Sequence, residues 1–433
     1  MRDFLLSLAT SRRWLALLLL ALLALPGLVQ AQGPTITGVS PASNARSASR
    51  TSPVQVTFSQ ALTAGSSAAL KVHSLQRRGL RTATTPAVVS GSTLTFTPTA
   101  PLPFMPGETV YSTTTTTAAS STGALAKANV SQFTAGVGGT GTGAFGGGSN
   151  VGAGQTLMGM AMGDVDADGD LDMMLIDNYT AAVMVRLNDG AGNFTTSQTI
   201  TIGSVQIKNV ILGDVDGDGD LDMLMMQAYY GTAGRVYFNN GSGSFSTGAY
   251  VTGGLDARNV AFGDVDGDGD LDVLVVDAYD QRVYTRFNDG TGAYSNAPGD
   301  YRGGTFVGVG TTPTSVAVGD FDADGDLDLA TANSYNNTVS IRFNNGSGTF
   351  SGGADVALAN GGAISRGVVH VAVGDVDGDG DLDVLAASGS GNSNVSVLAN
   401  NGSGTFSPSS TSPWAPAPWR QPSATSTATA TWT

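Results

Sequence analysis

Apolar and polar residues alternate with a period of two in short runs along most of the chain. Before residue 136 the clearest runs are Val54-Gln-Val-Thr-Phe58, Thr93-Leu-Thr-Phe-Thr97 and Thr109-Val-Tyr-Ser112. Later ones are Leu221-Asp-Met-Leu-Met-Met226 and Val273-Leu-Val-Val276. Alternation of this kind predicts half-buried β-strands, and the continuous apolar stretches predict strands buried on both faces. Gly91-Ser92 and Pro106-Gly107 mark turns between the early runs. No stretch sustains a 3.6-residue apolar period, so an all-β protein is expected, with almost no helix beyond the N-terminal leader. Residues 33–136 have the length and strand spacing of a β-sandwich.

From residue 151 to 408 the pattern repeats. Its first anchor is Gly-Asp-x-Asp-x-Asp-Gly-Asp-Leu-Asp, whose first Asp is Asp164, Asp214, Asp264, Asp320 and Asp375, at intervals of 50, 50, 56 and 55. A second anchor, Asn-[Asp/Asn]-Gly-x-Gly-x-aromatic, ends at Phe194, Phe245, Tyr294, Phe350 and Phe406. Each unit has room for four short strands: one entering the Asp loop, one leaving it, and a pair around the Asn-containing turn. Four strands in about 50 residues is the period of a β-propeller blade.

Composition adds a charge argument. The formal net charge of the 433-residue chain is −15. The acids are concentrated in the five loops: Asp164, Asp214, Asp264, Asp320 and Asp375 at position one; Asp166, Asp216, Asp266, Asp322 and Asp377 at position three; Asp168, Asp218, Asp268, Asp324 and Asp379 at position five. Asp170, Asp220, Asp270, Asp326 and Asp381 follow at position seven, and Asp172, Asp222, Asp272, Asp328 and Asp383 at position nine. These are 25 of the 35 acidic residues, and the rest of the chain sets 10 acids against 20 bases. Five divalent cations, each adding two charges, would bring −15 to −5.

Five carboxylates in nine residues repel one another unless a cation sits among them. Alternate oxygen donors, with Gly169 or its equivalent at position six to permit a sharp turn, suit Ca²⁺, which accepts six to eight hard oxygen ligands. Positions one, three, five and nine are expected to offer side-chain oxygens, and position seven its backbone carbonyl. The only two His, His73 and His370, lie outside the loops, which argues against zinc or copper. A helix–loop–helix calcium site needs an acid at loop position twelve. Here that position holds Leu175, Met225, Val275, Thr331 or Ala386, so the flanking elements are strands.

With Phe262-Gly263 ahead of Asp264, and Met162-Gly163, Leu212-Gly213, Val318-Gly319 and Val373-Gly374 in the other copies, the repeats resemble the FG-GAP or VCBS-type repeats of the integrin α-chain propeller. The resemblance implies a calcium ion in each strand–loop–strand hairpin and names no ligand. Seven blades are usual in that family, whereas five repeats are legible here. Residues 33–136 resemble bacterial Ig-like domains, on Pro34-Thr-Ile-Thr-Gly-Val-Ser-Pro41, Val54-Gln-Val-Thr-Phe-Ser59, Leu94-Thr-Phe-Thr-Pro98 and Pro106-Gly-Glu-Thr-Val-Tyr111.

The flanking and connecting segments carry their own readings. Arg2, Arg12 and Arg13, an apolar run from Trp14 to Leu25, and small residues at Val29 and Ala31 make residues 1–31 a secretory signal peptide, with the mature chain starting near Gln32. A secreted or cell-surface location follows, with no transmembrane segment after signal removal. The chain has no Cys, so disulfides cannot stabilise it. Residues 137–150 are Gly-rich; Gly136, Gly138 and Gly141 fit G-x-G-x-x-G but lack the strand and helix a nucleotide site needs. A tether letting the two halves move separately is expected there.

Residues 409–433 form an irregular tail. GC-rich codons for Gly-Asp-Val-Asp-Gly-Asp-Gly-Asp-Leu-Asp, read one nucleotide late, give Ala-Thr-Ser-Thr-Ala-Thr-Ala-Thr-Trp, which is the sequence from Ala424 to Trp432. A frameshifted sixth repeat, and hence an incomplete propeller with an exposed edge, is the expectation.

Few residues are available for catalysis. Glu108 is the only Glu, and there are two His and three Lys. Asp177 and Asp277 follow their loops at the same interval and invite a glycosidase reading, but strand-end positions favour turn roles. Tyr179, Tyr229, Tyr230, Tyr279 and Tyr335 lie about 15 residues after the first Asp of their repeats, on one expected rim, where packing and ligand binding are equally compatible. No basic nucleic-acid footprint exists. The sequence reads as a non-enzymatic adhesion or recognition module for an extracellular protein or glycan. The carbohydrate-binding part of a secreted carbohydrate-active enzyme is the alternative.

Overall fold

A computed structural model describes residues 33–43, 45–74, 80–98, 103–136, 156–202, 206–229, 232–295, 304–358, 367–377, 379–389 and 394–413. The leader, the Gly-rich segment after residue 136, Tyr230 and the tail from residue 414, with Ala424–Trp432, lie outside the described residues.

The N-terminal part is an Ig-like sandwich. Its strands are β1 (Ile36–Ser40), β2 (Ala45–Ala48), β3 (Val54–Phe58), β4 (Leu70–Ser74), β5 (Val88–Ser90), β6 (Thr93–Phe96), β7 (Thr109–Thr114), β8 (Ala119–Ser120), β9 (Gly123–Ala124) and β10 (Asn129–Ala135). One sheet has the order β1-β3-β6-β5 and the other β2-β10-β7-β4; β8 and β9 form a small hairpin. The period-two pattern explains the core, because alternate residues of a strand face one side. Val54, Val56, Phe58, Leu94 and Phe96 turn inward and meet Leu70, Val72, Val110 and Phe133 of the opposite sheet. Phe104 fills the middle, edge-on to Phe133 at 5.5 Å between ring centres.

The repeats form five antiparallel four-strand blades of an incomplete β-propeller. In the first blade β11 (Leu157–Gly163), β12 (Asp172–Asp177), β13 (Ala182–Asn188) and β14 (Phe194–Thr201) pair in chain order. The inner strands of the next four blades are Ile207–Gly213, Ala257–Gly263, Pro313–Gly319 and Val368–Gly374, each followed by the same order. The fourth blade gains a short fifth strand, Asp355–Ala357, paired with Thr338–Asn344. In every blade the Gly that ends the inner strand pairs with the last Asp of the loop, so each Asp loop closes a hairpin.

The cores lie between blades. Met174, Ile176 and Val185 of the first blade pack on Val210, Leu212 and Met223 of the second, and equivalent layers join the second to the third, the third to the fourth and the fourth to the fifth. One apolar cavity of about 380 Å³ is lined by residues of all five inner strands and by Tyr111 from the sandwich.

That position of Tyr111 corrects one expectation. The Gly-rich segment suggested two halves moving separately, but the sheet β2-β10-β7-β4 is seated on the blade ends. Tyr111, Ala128 and Val130 join the core between blades four and five, and Met105 joins that between blades one and two. The composition of a connecting segment sets its stiffness; it carries no information about surfaces far away in sequence that fit one another.

Candidate cation sites on the blade ends

Each Asp loop is shaped by its own backbone amides. In loops one to four the position-one carboxylate accepts, through Oδ2, the amide of the position-six Gly: Gly169, Gly219, Gly269 and Gly325, at 2.9–3.2 Å. The position-three carboxylate accepts the amide of position five, and position five accepts that of position seven, as in Asp166–Asp168–Asp170. The position-nine carboxylate bridges two segments. Its Oδ2 accepts the position-two amide at 2.8–3.0 Å. Its Oδ1 accepts the amide of the Asn in the second anchor at 2.8–2.9 Å.

Two loop positions need left-handed backbone. Position six is Gly, with φ of 101° at Gly169 and 96° at Gly325. Position four is also left-handed: Gly217 and Gly267 adopt it in loops two and three, but Ala167 and Ala323 do so at φ 61° in loops one and four.

The result is a carboxylate cluster in every loop. Oxygens of Asp164, Asp166 and Asp172 lie within 4.8 Å of one another, as do those of Asp264, Asp266 and Asp272, of Asp320, Asp322 and Asp328, and of Asp375, Asp377 and Asp383. Loop two brings together Asp214, Asp216 and Asp218 instead. Thus positions one, three and nine converge in four loops, and position five joins in one. Asp168, Asp268, Asp324 and Asp379 at position five, and Asp222 at position nine, are not among the converging residues.

The position-seven side chains, Asp170, Asp220, Asp270, Asp326 and Asp381, are also outside the clusters. Each lies against the first Gly of the second anchor; a Cβ on Gly190 would come to 2.4 Å from Asp170 Oδ2.

The clusters fit a hard cation on two observations. First, Oδ1 of Asp164 and Oδ1 of Asp320 are buried with no hydrogen-bond partner, so an acceptor is aimed into the loop with no donor for it. Buried acceptors seldom go unsatisfied in native proteins. Second, the donor set is oxygen only. His73 Nε2 comes near loop four but lies 3.2 Å from the Gly325 carbonyl, to which it donates, and is therefore no ligand.

Electrostatics agrees. Burial pushes the position-nine carboxyls up, Asp172 to about 6, Asp222 and Asp272 to about 8, and Asp328 well above its ordinary value, against the opposing effect of their amide partners. Burial likewise raises Asp264 to about 6 and Asp320 to about 7. Carboxylates held out of water without a counter-charge favour the neutral form, and a bound cation removes that penalty.

The Asn of the second anchor has a role that sequence reasoning missed. Beyond fixing position nine, its Nδ2 donates to the Leu carbonyl at position eight and reaches the preceding blade: Asn239 to Val165 O, Asn288 to Val215 O, Asn344 to Val265 O and Asn400 to Phe321 O, each at 2.7 Å. The recurrence of Asn at a fixed offset was visible; its partner lies 73–79 residues away and was not.

Asp177 and Asp277 prove to be turn caps. Asp177 accepts the amides of Thr156 and Tyr179 and the hydroxyl of Thr180. Asp277 accepts the amides of Asp256, Tyr279 and Asp280. Glu108 is fully buried in the sandwich, held by Ser74 Oγ and the Met105 amide. In the turns after the second strands Tyr179, Tyr279 and Tyr335 are exposed, the first two on amides capped by Asp177 and Asp277. Residues two positions further on, Ala181, Gln281 and Asn337, share left-handed φ of 50–55°, so the three turns have one shape.

Comparison with known proteins matches this architecture. The bacterial Ig-like domain family matches residues 30–135. The FG-GAP-like repeat family matches residues 164–225, 227–275, 265–331, 320–386 and 375–430, together more than half of the chain. A search of curated proteins finds no match. Among solved structures, a lectin of Agrocybe aegerita that recognises non-reducing terminal N-acetylglucosamine is 17% identical, with 78% of this chain and 89% of the lectin covered and a TM-score of 0.44. An auxiliary nutrient binding protein of Bacteroides ovatus is 14% identical, with 87% and 86% covered and a TM-score of 0.39. The V. cholerae biofilm matrix protein Bap1 is 16% identical, with 58% and 39% covered and a TM-score of 0.35. These superpositions are too loose to carry an argument about ligands. The repeat matches are of another order, and on their extent the chain belongs to the FG-GAP-like repeat proteins.

Proposed function

We propose that the chain is an exported, non-enzymatic adhesion or recognition module, whose blades are each stiffened by one calcium ion and whose free face binds an extracellular protein or glycan. The observation that carries the reading is the division of labour between the two ends of the blades. One end holds the five carboxylate clusters. The other holds the turns after the second strands, with Tyr179, Tyr279 and Tyr335 exposed on turns of one shape. Exposed tyrosines repeated around a rigid rim offer apolar rings and hydroxyls for sugar or protein contact at little entropic cost. Calcium is favoured over magnesium because the donors come from a flexible loop with many oxygens, whereas magnesium demands near-ideal octahedral geometry. No helix among the described residues is long and apolar enough to cross a membrane, and export rests on the leader-like N-terminus.

Two measurements test this. Calorimetric titration is expected to reveal calcium uptake approaching one ion per loop, with chelation lowering the melting temperature; absence of uptake by the folded protein removes the cation reading. A glycan and extracellular-matrix array, probed with and without calcium, is expected to give hits that weaken at least tenfold in a Tyr179→Ala/Tyr279→Ala/Tyr335→Ala variant. Hits indifferent to the triple change would move the binding face elsewhere, and hits confined to one glycan class would favour the carbohydrate-binding alternative.

A further inference from the structure

The sandwich reaches loops three, four and five at loop positions one, six and seven. On loop four, Lys71 Nζ of β4 is 2.6 Å from Asp326 Oδ1, Thr113 Oγ1 of β7 donates to Asp320 Oδ2 at 2.6 Å, and His73 donates to the Gly325 carbonyl. On loop three, the Leu80 amide donates to Asp264 Oδ2 at 2.8 Å. On loop five, Lys127 Nζ is 2.9 Å from Asp381 Oδ2, and the Val130 amide of β10 donates to the Gly380 carbonyl at 3.3 Å. In loop coordinates these are the Oδ2 of position one, the carbonyl of position six and the carboxylate of position seven.

The converging oxygens belong to positions one, three and nine, so positions six and seven lie outside the cluster and position one is shared with the interface. Loop four makes the separation plain at a single residue: Asp320 gives Oδ2 to Thr113 and to the Gly325 amide, while its Oδ1 is buried without a partner. Two of the three lysines in the chain serve this interface, and they address only position seven, whose side chain stands outside the cluster.

We infer that the Asp-loop face is a docking surface for the Ig-like domain that is completed by the cations, so that calcium binding and domain docking strengthen each other. Two physical effects give the coupling its sign. Docking sets Thr113 on the Asp320 carboxylate and the Leu80 amide on that of Asp264, and keeping a buried carboxylate away from water without a counter-charge is unfavourable. A cation among them removes the cost without displacing Lys71, Thr113, Leu80 or Lys127. The loop must also hold one conformation to present its position-six carbonyl and position-one Oδ2, and repulsion among five carboxylates opposes that conformation until a cation is bound. By linkage, whatever calcium adds to docking, docking adds to calcium affinity at loops three, four and five.

The inference rests on the calcium reading above, and the experiment separates the two. Hydrogen exchange of the full chain is followed in calcium chloride and in EGTA, with calcium uptake measured on the same sample. The amides of Leu80 and Val130, which donate across the interface, report docking; the Leu94 amide, in the core of the far sheet, reports that the sandwich is folded. Chelation is expected to speed exchange at Leu80 and Val130 at least tenfold and leave Leu94 unchanged. In a Lys71→Ala/Thr113→Val/Lys127→Ala variant, calcium affinity is expected to fall several-fold at the three sites of loops three, four and five and hold at those of loops one and two. If calcium is taken up but exchange at Leu80 and Val130 does not change, docking is independent of the cation and the inference fails while the calcium reading stands. Slower exchange in EGTA would overturn the sign, since cation and domain would then compete. No calcium uptake at all would remove both.

Discussion

The first and third blades carry the same repeat and meet different surroundings. Val260, on the inner strand of the third blade, is 4% exposed against the second blade; Met160, at the same position of the first, is 56% exposed. At the other end, Val376 of the fifth blade is 47% exposed where Val265 of the third is 1% exposed. The apolar stripe is thus written into every repeat, and only a neighbour converts it into stability. Blades behave as units of a one-dimensional array, in which the interface between repeats supplies most of the folding energy. The difference between an interior and an end position then measures what one interface is worth.

The largest expected effect comes from removing interior packing. Phe262 is buried between the second and third blades, and Phe262→Ala should cost about 3–5 kcal/mol, the usual range for a buried aromatic. Met162, its counterpart on the first blade, is exposed, and Met162→Ala should cost under about 0.5 kcal/mol, as surface changes do. Denaturant midpoints of the two variants decide the matter. Equal losses would mean that the first blade has a covered face after all.

Next in size is the bond from blade to blade. Asn288 Nδ2 reaches both Val215 O and Leu271 O, whereas Asn188 Nδ2 has only Leu171 O within its own blade. Asn288→Ala should cost roughly 1–3 kcal/mol because two buried carbonyls lose a donor. Asn188→Ala should cost less than half as much. Chemical unfolding of both variants in calcium checks this, and a larger loss at Asn188 would contradict the array picture.

The pH response should carry the same signature in calcium-free protein. Burial raises Asp172 of the first blade to about 6 but Asp222 and Asp272 of interior blades to about 8. A raised carboxyl binds a proton more tightly folded than unfolded, so its contribution to stability is complete below the unfolded value and is lost as pH rises through the folded one. With ordinary carboxyls near 4, the window runs from about 4 to about 6 for the first blade and to about 8 for the interior ones. In EGTA the melting temperature should therefore fall between pH 5.5 and 8.5, and calcium should abolish the fall. A melting temperature in EGTA that stays level or climbs over that range would rule out buried carboxylates as the cause.

Much of this was legible in the sequence, for identifiable reasons. Strands such as Val54–Phe58 and Asp272–Asp277 were readable because alternation and apolar runs are local signals. The five loops were readable because ligand spacing is local too, and four of them converge through positions one, three and nine. What was hidden depends on distant partners. The reach of Asn344 to Val265, the seating of Lys71 on Asp326 and the burial of Tyr111 between blades join residues 79 to more than 250 positions apart, and no periodicity encodes them. The left-handed position four was hidden for another reason: Ala167 and Ala323 stand there in place of the Gly that would have announced it.

Those two alanines supply the smallest and sharpest form of the comparison. A left-handed non-Gly residue costs roughly 1–2 kcal/mol, and glycine avoids this while losing about 0.5–1 kcal/mol more backbone entropy on folding. At Ala167, whose methyl is exposed, Ala167→Gly should therefore stabilise by about 0.5–1 kcal/mol. At Ala323 the methyl is buried beside Tyr111, Ala128 and Val130 of the docked sandwich, and its loss gives back about 0.8 kcal/mol. Ala323→Gly should then be close to neutral, although the backbone strain it relieves is the same. Denaturant midpoints measured in calcium would resolve the two. Equal gains at both positions would mean that the sandwich does not press on loop four in solution, and the interface between the two parts of the molecule would have to be redrawn.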